Sequence, residues 1–427
     1  TTSWTICRGL EGVPPPILPS ERIKRTGGRL SSFDAGRGCP FQCSFCTIIN
    51  VQGRKSRYRS ADDIEAIVRR NLAQGINRFF ITDDNLARNR NWEAIFDRLI
   101  RLRDEEGHSI HFVIQVDTLC HKIPRFVDKA ARAGVTRVFI GMESINPENL
   151  LAAKKRQNRI SEYRRMLLAW KSVGCFTYAG YILGFPGDTP QSIEREIGII
   201  QRELPLDLLE FFCLTPLPGS EDHKRLFTAG IPMEPDMNKY DLEHVCAGHP
   251  LMSKAEWERA YRLAWSTYYT PAHMARVMRR AGAVGISPGK MMFLLLWFWG
   301  CVTLENIHPL EGGYLRRKVR ADRRPGLPIE NPVFFYPRYA ADLLGKHFHL
   351  LRMVLRLAAI RREIKRNPNR RAYMDTALAP VSDEDMDALE MFTATEAARN
   401  AADKARHDLA RGRRAEATHP SALAPLQ

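Results

Sequence analysis

Two regimes of hydrophobic patterning divide the chain. From about residue 30 to 220, short and nearly continuous apolar runs alternate with stretches whose apolar positions recur every three or four residues. The runs LSSFDAG, RFFITDD, HFVIQVD, RVFIGME, FTYAGYILGF and LLEFFCLT are rich in β-branched and aromatic residues and read as strands. Between them, residues 61–74 read as an amphipathic helix opened by Ser60 as N-cap, with Asp63 three positions on. Residues 91–103 read as another, apolar at Ile95, Leu99 and Leu102. Strands apolar on both faces must be covered on both, which argues for a parallel sheet clothed by helices. Six such units in a row predict a partial (β/α)6 TIM-like barrel, an α/β fold whose chemistry sits at the carboxyl ends of the strands. A flat doubly wound sheet is the competing architecture, because periodicity alone does not separate the two.

After about Glu221 the strand pattern stops. Residues 254–305 read as helices. Within them the run MMFLLLWFWGCV has twelve residues, short of the roughly 20 that a membrane-spanning helix takes. From about Thr395 the chain is rich in Ala and Arg without a periodic apolar face, and disorder is expected there. The expected division is a Pro-rich linker at 1–30, a core barrel at 31–225, a helical extension at 226–310, a basic amphipathic segment at 311–372 and a mostly disordered tail at 373–427. The linker contains GVPPPILP, which favours stiff polyproline geometry.

Charge sharpens this division. The 427 residues carry 64 Lys and Arg against 48 Asp and Glu, a formal +16. Residues 314–371 alone hold sixteen basic and four acidic side chains, so +12 of the excess is local. A local excess implies an anionic partner for that segment. Six of the nine cysteines are scattered singly, which is no disulfide framework and suits a reducing, cytoplasmic setting.

The other three cysteines are Cys39, Cys43 and Cys46, in GRGCPFQCSFCTIIN on the loop after the first strand. A structural zinc site is one reading, but it takes four ligands, commonly as two separated pairs, and no second pair exists here. An iron–sulfur cluster is the other, since thiolates suit iron and sulfide and short loop spacings grip such clusters. Three thiolates on a four-iron cluster leave one iron open to a substrate or cofactor.

The C-x3-C-x2-C string with Phe45 before the last cysteine resembles the radical S-adenosylmethionine (radical SAM) superfamily. That resemblance implies a [4Fe–4S] cluster on Cys39, Cys43 and Cys46, and SAM chelated by the open iron. It implies reductive cleavage of SAM to a 5′-deoxyadenosyl radical, with a reductant such as flavodoxin or ferredoxin as partner. Carried onto this sequence, it places Asp83 or Asp84 of TDDN at the methionine ammonium and Glu143 of GMES near SAM. Gly180, Ile182 and Gly184 of AGYILGFPGDT would lie at the adenine. The wording over roughly residues 12–260 most resembles the cobalamin-dependent (B12-binding) class. Only eleven residues precede the linker and no Asp-x-His-x-x-Gly motif occurs, so cobalamin is not expected on this chain. A non-catalytic iron–sulfur remnant or partner subunit is the alternative to an enzyme.

Residues 340–366 place Leu343, Leu350, Val354 and Leu357 on one helical stripe, with Arg352 and Arg356 away from it and Arg361, Arg362, Lys365 and Arg366 crowding the end. A basic amphipathic helix next to aromatic-rich runs resembles an interfacial anchor. An anionic membrane surface is therefore one expected partner, with peripheral placement at the inner face of the membrane and a lipid-linked substrate. Nucleic acid held through phosphates is another, and a helix packed on the barrel with its basic face in water is the third reading.

Overall fold

The computed structural model describes residues 10, 13–14, 20–25, 29–53, 55–323, 325–382 and 384–418. Most of the Pro-rich linker lies outside them. The six predicted strands all form: β1 Leu30–Phe33, β2 Arg78–Ile81, β3 His111–Val116, β4 Val135–Glu143, β5 Phe176–Leu183 and β6 Leu208–Cys213. They make one sheet, every pair parallel, in the order β1-β2-β3-β4-β5-β6.

That order decides between the two expected architectures. A doubly wound sheet reverses its strand order at a switch point. Here each strand lies beside its predecessor, so right-handed crossovers carry every connecting helix to the same face. The connections are α1 Ala61–Leu72, α2 Trp92–Asp104, α3 Phe126–Ala133, α4 Ile160–Ser172 and α5 Pro190–Glu203. β1 and β6 do not pair, so the barrel is open.

Alternation along the strands sorts the side chains. Phe79, Ile81, Phe112, Ile114, Val138, Ile140, Ala179, Tyr181, Leu209 and Phe211 are buried in the main core on the helix-covered face. Their strand neighbours Gln115, Phe139 and Gly141 line a cavity on the concave face. The predicted caps hold. Ser60 accepts from the Asp63 amide at 3.1 Å while Asp63 accepts from the Ser60 amide at 3.3 Å, and Ile95, Leu99 and Leu102 are fully buried on α2.

On α5, Glu196 accepts a hydrogen bond from the Tyr181 hydroxyl of β5. Burial, reinforced by the nearby Asp188 charge, pushes the Glu196 carboxyl up to about 8. The folded chain therefore keeps a proton that the unfolded chain has already released, and stability falls as pH rises from the ordinary glutamate range to about 8. Glu196→Gln is predicted to flatten this dependence, so that its melting temperature relative to wild type rises between pH 5 and 8.5. The gain at the alkaline end is on the order of 1–3 kcal/mol.

Beyond the barrel come α6 Lys254–Tyr268, α7 Pro271–Ala283, α8 Pro288–Glu305 and α9 Pro332–Arg366. The α8 helix carries the long apolar run and buries Met291, Leu295 and Cys301. Among the described residues no helix is long and apolar enough to cross a membrane. One contiguous cluster of buried side chains extends from the barrel to Leu357 and Ile364 of α9 and on to Met391, Phe392 and Ala402. The extension thus shares the barrel's core.

The tail expected to be disordered differs from that expectation. Residues 385–388 and 390–393 form short helices and α10 spans Glu396–Thr418, packed against α4. Ala398 and Ala402 are buried, with Ala401, Ala405 and Leu409 partly so. Positions 398, 401, 402, 405 and 409 fall on one helical face. The stripe is made of alanine, whose weak hydrophobicity hid the period. Residues 419–427 lie outside the described part.

Candidate active site

A cavity of about 310 Å³ opens at the carboxyl ends of the first four strands. Cys39, Cys43 and Cys46 all line it, together with Phe41, Phe45, Asp84, Asn85, Asp117, Glu143, Lys155 and Gln157. The loop bearing the cysteines is anchored by backbone bonds: the Ser44 amide donates to Ala153 O at 3.0 Å and the Asp222 amide to Ser44 O at 3.0 Å. Burial pushes the Cys39 thiol up and the Cys46 thiol to about 11, and the neighbouring sulfurs add to both shifts. Such thiols become thiolates when a metal binds and displaces their protons into solvent. Gln157 Nε2 points at Cys43 Sγ at 3.5 Å.

The two aspartates of TDDN are separated by the fold. Asp83 turns away from the cavity and accepts from the Ala35 and Gly36 amides, each at 2.6 Å, and from Asn89 Nδ2 at 2.9 Å. It ties the end of β2 to the start of the cysteine loop. Burial outweighs these bonds and pushes its carboxyl up to about 7. Asp84 does face the cavity, accepting from the Gly38 amide at 3.3 Å.

Glu143 ends β4 at a register shift against β5, with φ of +63°. A bulge re-aims a side chain, and a non-glycine residue in the left-handed region is strain of the kind kept at working sites. Glu143 pairs with Lys155, and both side chains are nearly buried, 13% and 10% exposed. Burial pulls the Lys155 ammonium down, but the charges of Glu143 and Cys43 outweigh it and hold it above the ordinary lysine range. The ammonium also lies 5.8 Å from the centre of the Phe45 ring.

The three β5 residues fall elsewhere. Gly180 lies under the rings of Phe139 and Phe212, where a Cβ would come within 3.0 Å of each. Ile182 is buried with Ala153 and Phe185, against Phe45 and Leu214. Gly184, at φ +102°, gives its space to Trp257, whose ring atom Cζ2 stands 1.8 Å from where a Cβ would be. That indole donates to Leu183 O at 3.1 Å. Gly184 thus seats a tryptophan, which differs from the expectation of bare backbone facing a ligand; the reason is that α6 crosses there. It still lines a second cavity of about 380 Å³ with Ser44, Lys154, Leu214 and His249. The two cavities flank a wall containing Ser44, Phe45, Lys154 and Lys155.

Sequence reasoning missed Lys155, Gln157, Gln115 and Asp117. Asp117 is held by Arg88 at 2.5 Å and by Asn85 Nδ2 at 2.9 Å. The only signal for it was its place directly after an apolar strand. Among the described residues no three His, Cys, Asp or Glu side chains stand close enough to share one metal ion. A cluster asks for something else, one thiolate on each of three irons, and three thiols around one cavity meet that demand.

Compared with known families, residues 34–198 match the Radical SAM superfamily. Among curated relatives, a bacteriochlorophyllide d C-12(1)-methyltransferase of Chlorobaculum tepidum is 28% identical over 49% of this chain and 45% of its own. The hopanoid C-2 methylase of Rhodopseudomonas palustris is 28% identical over 47% and 40%. The chain spans less than half the length of either. Among solved structures, the radical S-adenosylmethionine methyltransferase TsrM of Kitasatospora setae, with cobalamin and a [4Fe–4S] cluster bound, covers 56% of this chain and 48% of its own, at 20% identity and a TM-score of 0.45. Over residues 34–198 the chain therefore carries a radical SAM domain.

Proposed function

We propose that Cys39, Cys43 and Cys46 hold a [4Fe–4S] cluster and that the chain cleaves SAM reductively to modify a C–H bond of its substrate. The observation that supports this is one cavity, at the carboxyl ends of parallel strands, lined by three thiols, three carboxylates and a buried lysine. When bound, the cluster supplies one electron to the SAM sulfonium, breaking a C–S bond to give methionine and a 5′-deoxyadenosyl radical. Asp84 and Glu143 offer acceptors to the methionine ammonium, and Lys155 a cation to its carboxylate. Phe45 and Ile182 form an apolar wall toward the second cavity, which takes the adenosine end. Ile48, Val116 and Phe139 add apolar lining to the first cavity. The curated relatives named above are called methyltransferase or methylase, which favours methyl transfer as the later step. A flavodoxin- or ferredoxin-type reductant would deliver the electron.

The test is anaerobic reconstitution with iron and sulfide, followed by EPR of the reduced protein with and without SAM. A [4Fe–4S]⁺ signal that changes on adding SAM is expected. A cluster indifferent to SAM would overturn the reading, and 5′-deoxyadenosine formation separates an enzyme from a cluster-bearing remnant.

A further inference from the structure

The α9 helix is apolar on two opposite faces, and only one is used. Met353, Leu357 and Ile364 are buried, and Leu350 and Val354 pack beside them, where α9 lies on α7 and α8. This inward face is the stripe anticipated from sequence. On the far side Leu344, Phe348, Leu351 and Leu355 are 73%, 64%, 56% and 58% exposed. Their spacing of four, three and four residues puts them on one line. The same line continues through Arg362 and Arg366, seven and eleven positions beyond Leu355.

Among the described residues the cations here have no protein partner. Arg352, Arg356, Arg362, Lys365 and Arg366 are exposed and make no hydrogen bond or ion pair within the described residues. Elsewhere on the helix charge is neutralised: Lys346 pairs with Glu305 and Asp342, and Arg338 with Glu330. Glu363, the one acid near this end, is taken by Arg279. Exposed apolar rows of this size mark interaction sites. A row that ends in unpaired cations matches a surface that is apolar beneath and anionic above.

We infer that the outward face of α9 docks on an anionic lipid surface, with Leu344, Phe348, Leu351 and Leu355 entering the acyl boundary and Arg362, Arg366 and Arg352 meeting headgroup phosphates. Apolar burial and electrostatic attraction act together in such helices. A protein partner of opposite charge would need acids to meet five cations and a groove for the row; a second copy of this chain offers the same cations and repels it.

The experiment is co-sedimentation of the full 427-residue chain with phosphatidylglycerol-containing vesicles and with pure phosphatidylcholine vesicles, at low and high salt. Binding to the first only, weakened by salt, is expected. Arg362→Glu with Arg366→Glu should weaken binding by at least about tenfold. Leu344→Ser, Phe348→Ser, Leu351→Ser and Leu355→Ser combined should abolish it; these side chains are exposed, and unchanged thermal melting checks the fold. Three results would overturn the inference: equal absence of binding to both vesicles, a solution dimer abolished by the serine variant, or salt-sensitive binding to RNA by a chain that ignores vesicles. None of these readouts depends on the cluster or on SAM, so they leave the proposed reaction untouched.

Discussion

Cys43→Ala is expected to yield a folded protein that retains no iron–sulfur cluster after reconstitution and makes no 5′-deoxyadenosine above background. The fold should survive, because the loop is held through its backbone. The bonds from the Ser44 amide to Ala153, from the Cys46 amide to Cys43 O and from the Asp222 amide to Ser44 O involve no thiol. The Ser44 hydroxyl adds a further bond to Asp222 Oδ2 at 3.1 Å. What the variant removes is one of three donors, and with two the cluster loses a third of its protein ligation in a site that must leave one iron open. The contrast is Cys175→Ala. That thiol is buried behind the sheet and donates to Val135 O at 3.0 Å, so its loss should lower stability by about 1 kcal/mol and leave iron content unchanged. Iron analysis, visible absorbance and product assay on the two variants read the difference. Deoxyadenosine made equally well by Cys43→Ala would move the cluster off this loop.

How far the sequence carried differs between fold and site for a physical reason. Six strands were legible because each is apolar nearly throughout, as a strand covered on both faces must be. That they curl into a partial barrel was predicted from six units in a row, but a flat sheet could be ruled out only by the strand order, a long-range property that no local run encodes. In the site, the cysteines, Phe45, Asp84 and Glu143 were legible because they sit in short strings at strand ends. The structure gathers these six around one cavity. Asp83 was indistinguishable from Asp84 by spacing, and only the amides of Ala35 and Gly36 show which way it turns. Lys155 and Gln157 belong to the turn after the short helix Pro147–Ala152, a place without strand or motif. Nothing in AAKKRQNR tells one basic residue from the next, although Lys154 pairs outward with Glu221 and Lys155 inward with Glu143. The second face of α9 escaped because one apolar stripe already explained the helix.

Lys155→Met is the second large effect. The substitution keeps roughly the side-chain volume but removes the ammonium over the Phe45 ring and leaves the Glu143 carboxylate nearly buried, on a strained backbone, without its cation. Removing one member of a buried pair is costly because the other stays desolvated, and a loss of about 3 kcal/mol in unfolding free energy is expected. Glu143→Gln in the same chain should return most of it, since the uncompensated charge goes too. SAM affinity, read from the EPR change on titrating SAM into the reconstituted protein, then assigns the role of the lysine. If Lys155 meets the SAM carboxylate, the double variant is stable again and binds SAM more weakly than Glu143→Gln alone, which lacks the same acceptor for the ammonium. Recovery of affinity to that of Glu143→Gln, together with stability, would mean that Lys155 serves the site only by holding Glu143, and that another group carries the carboxylate.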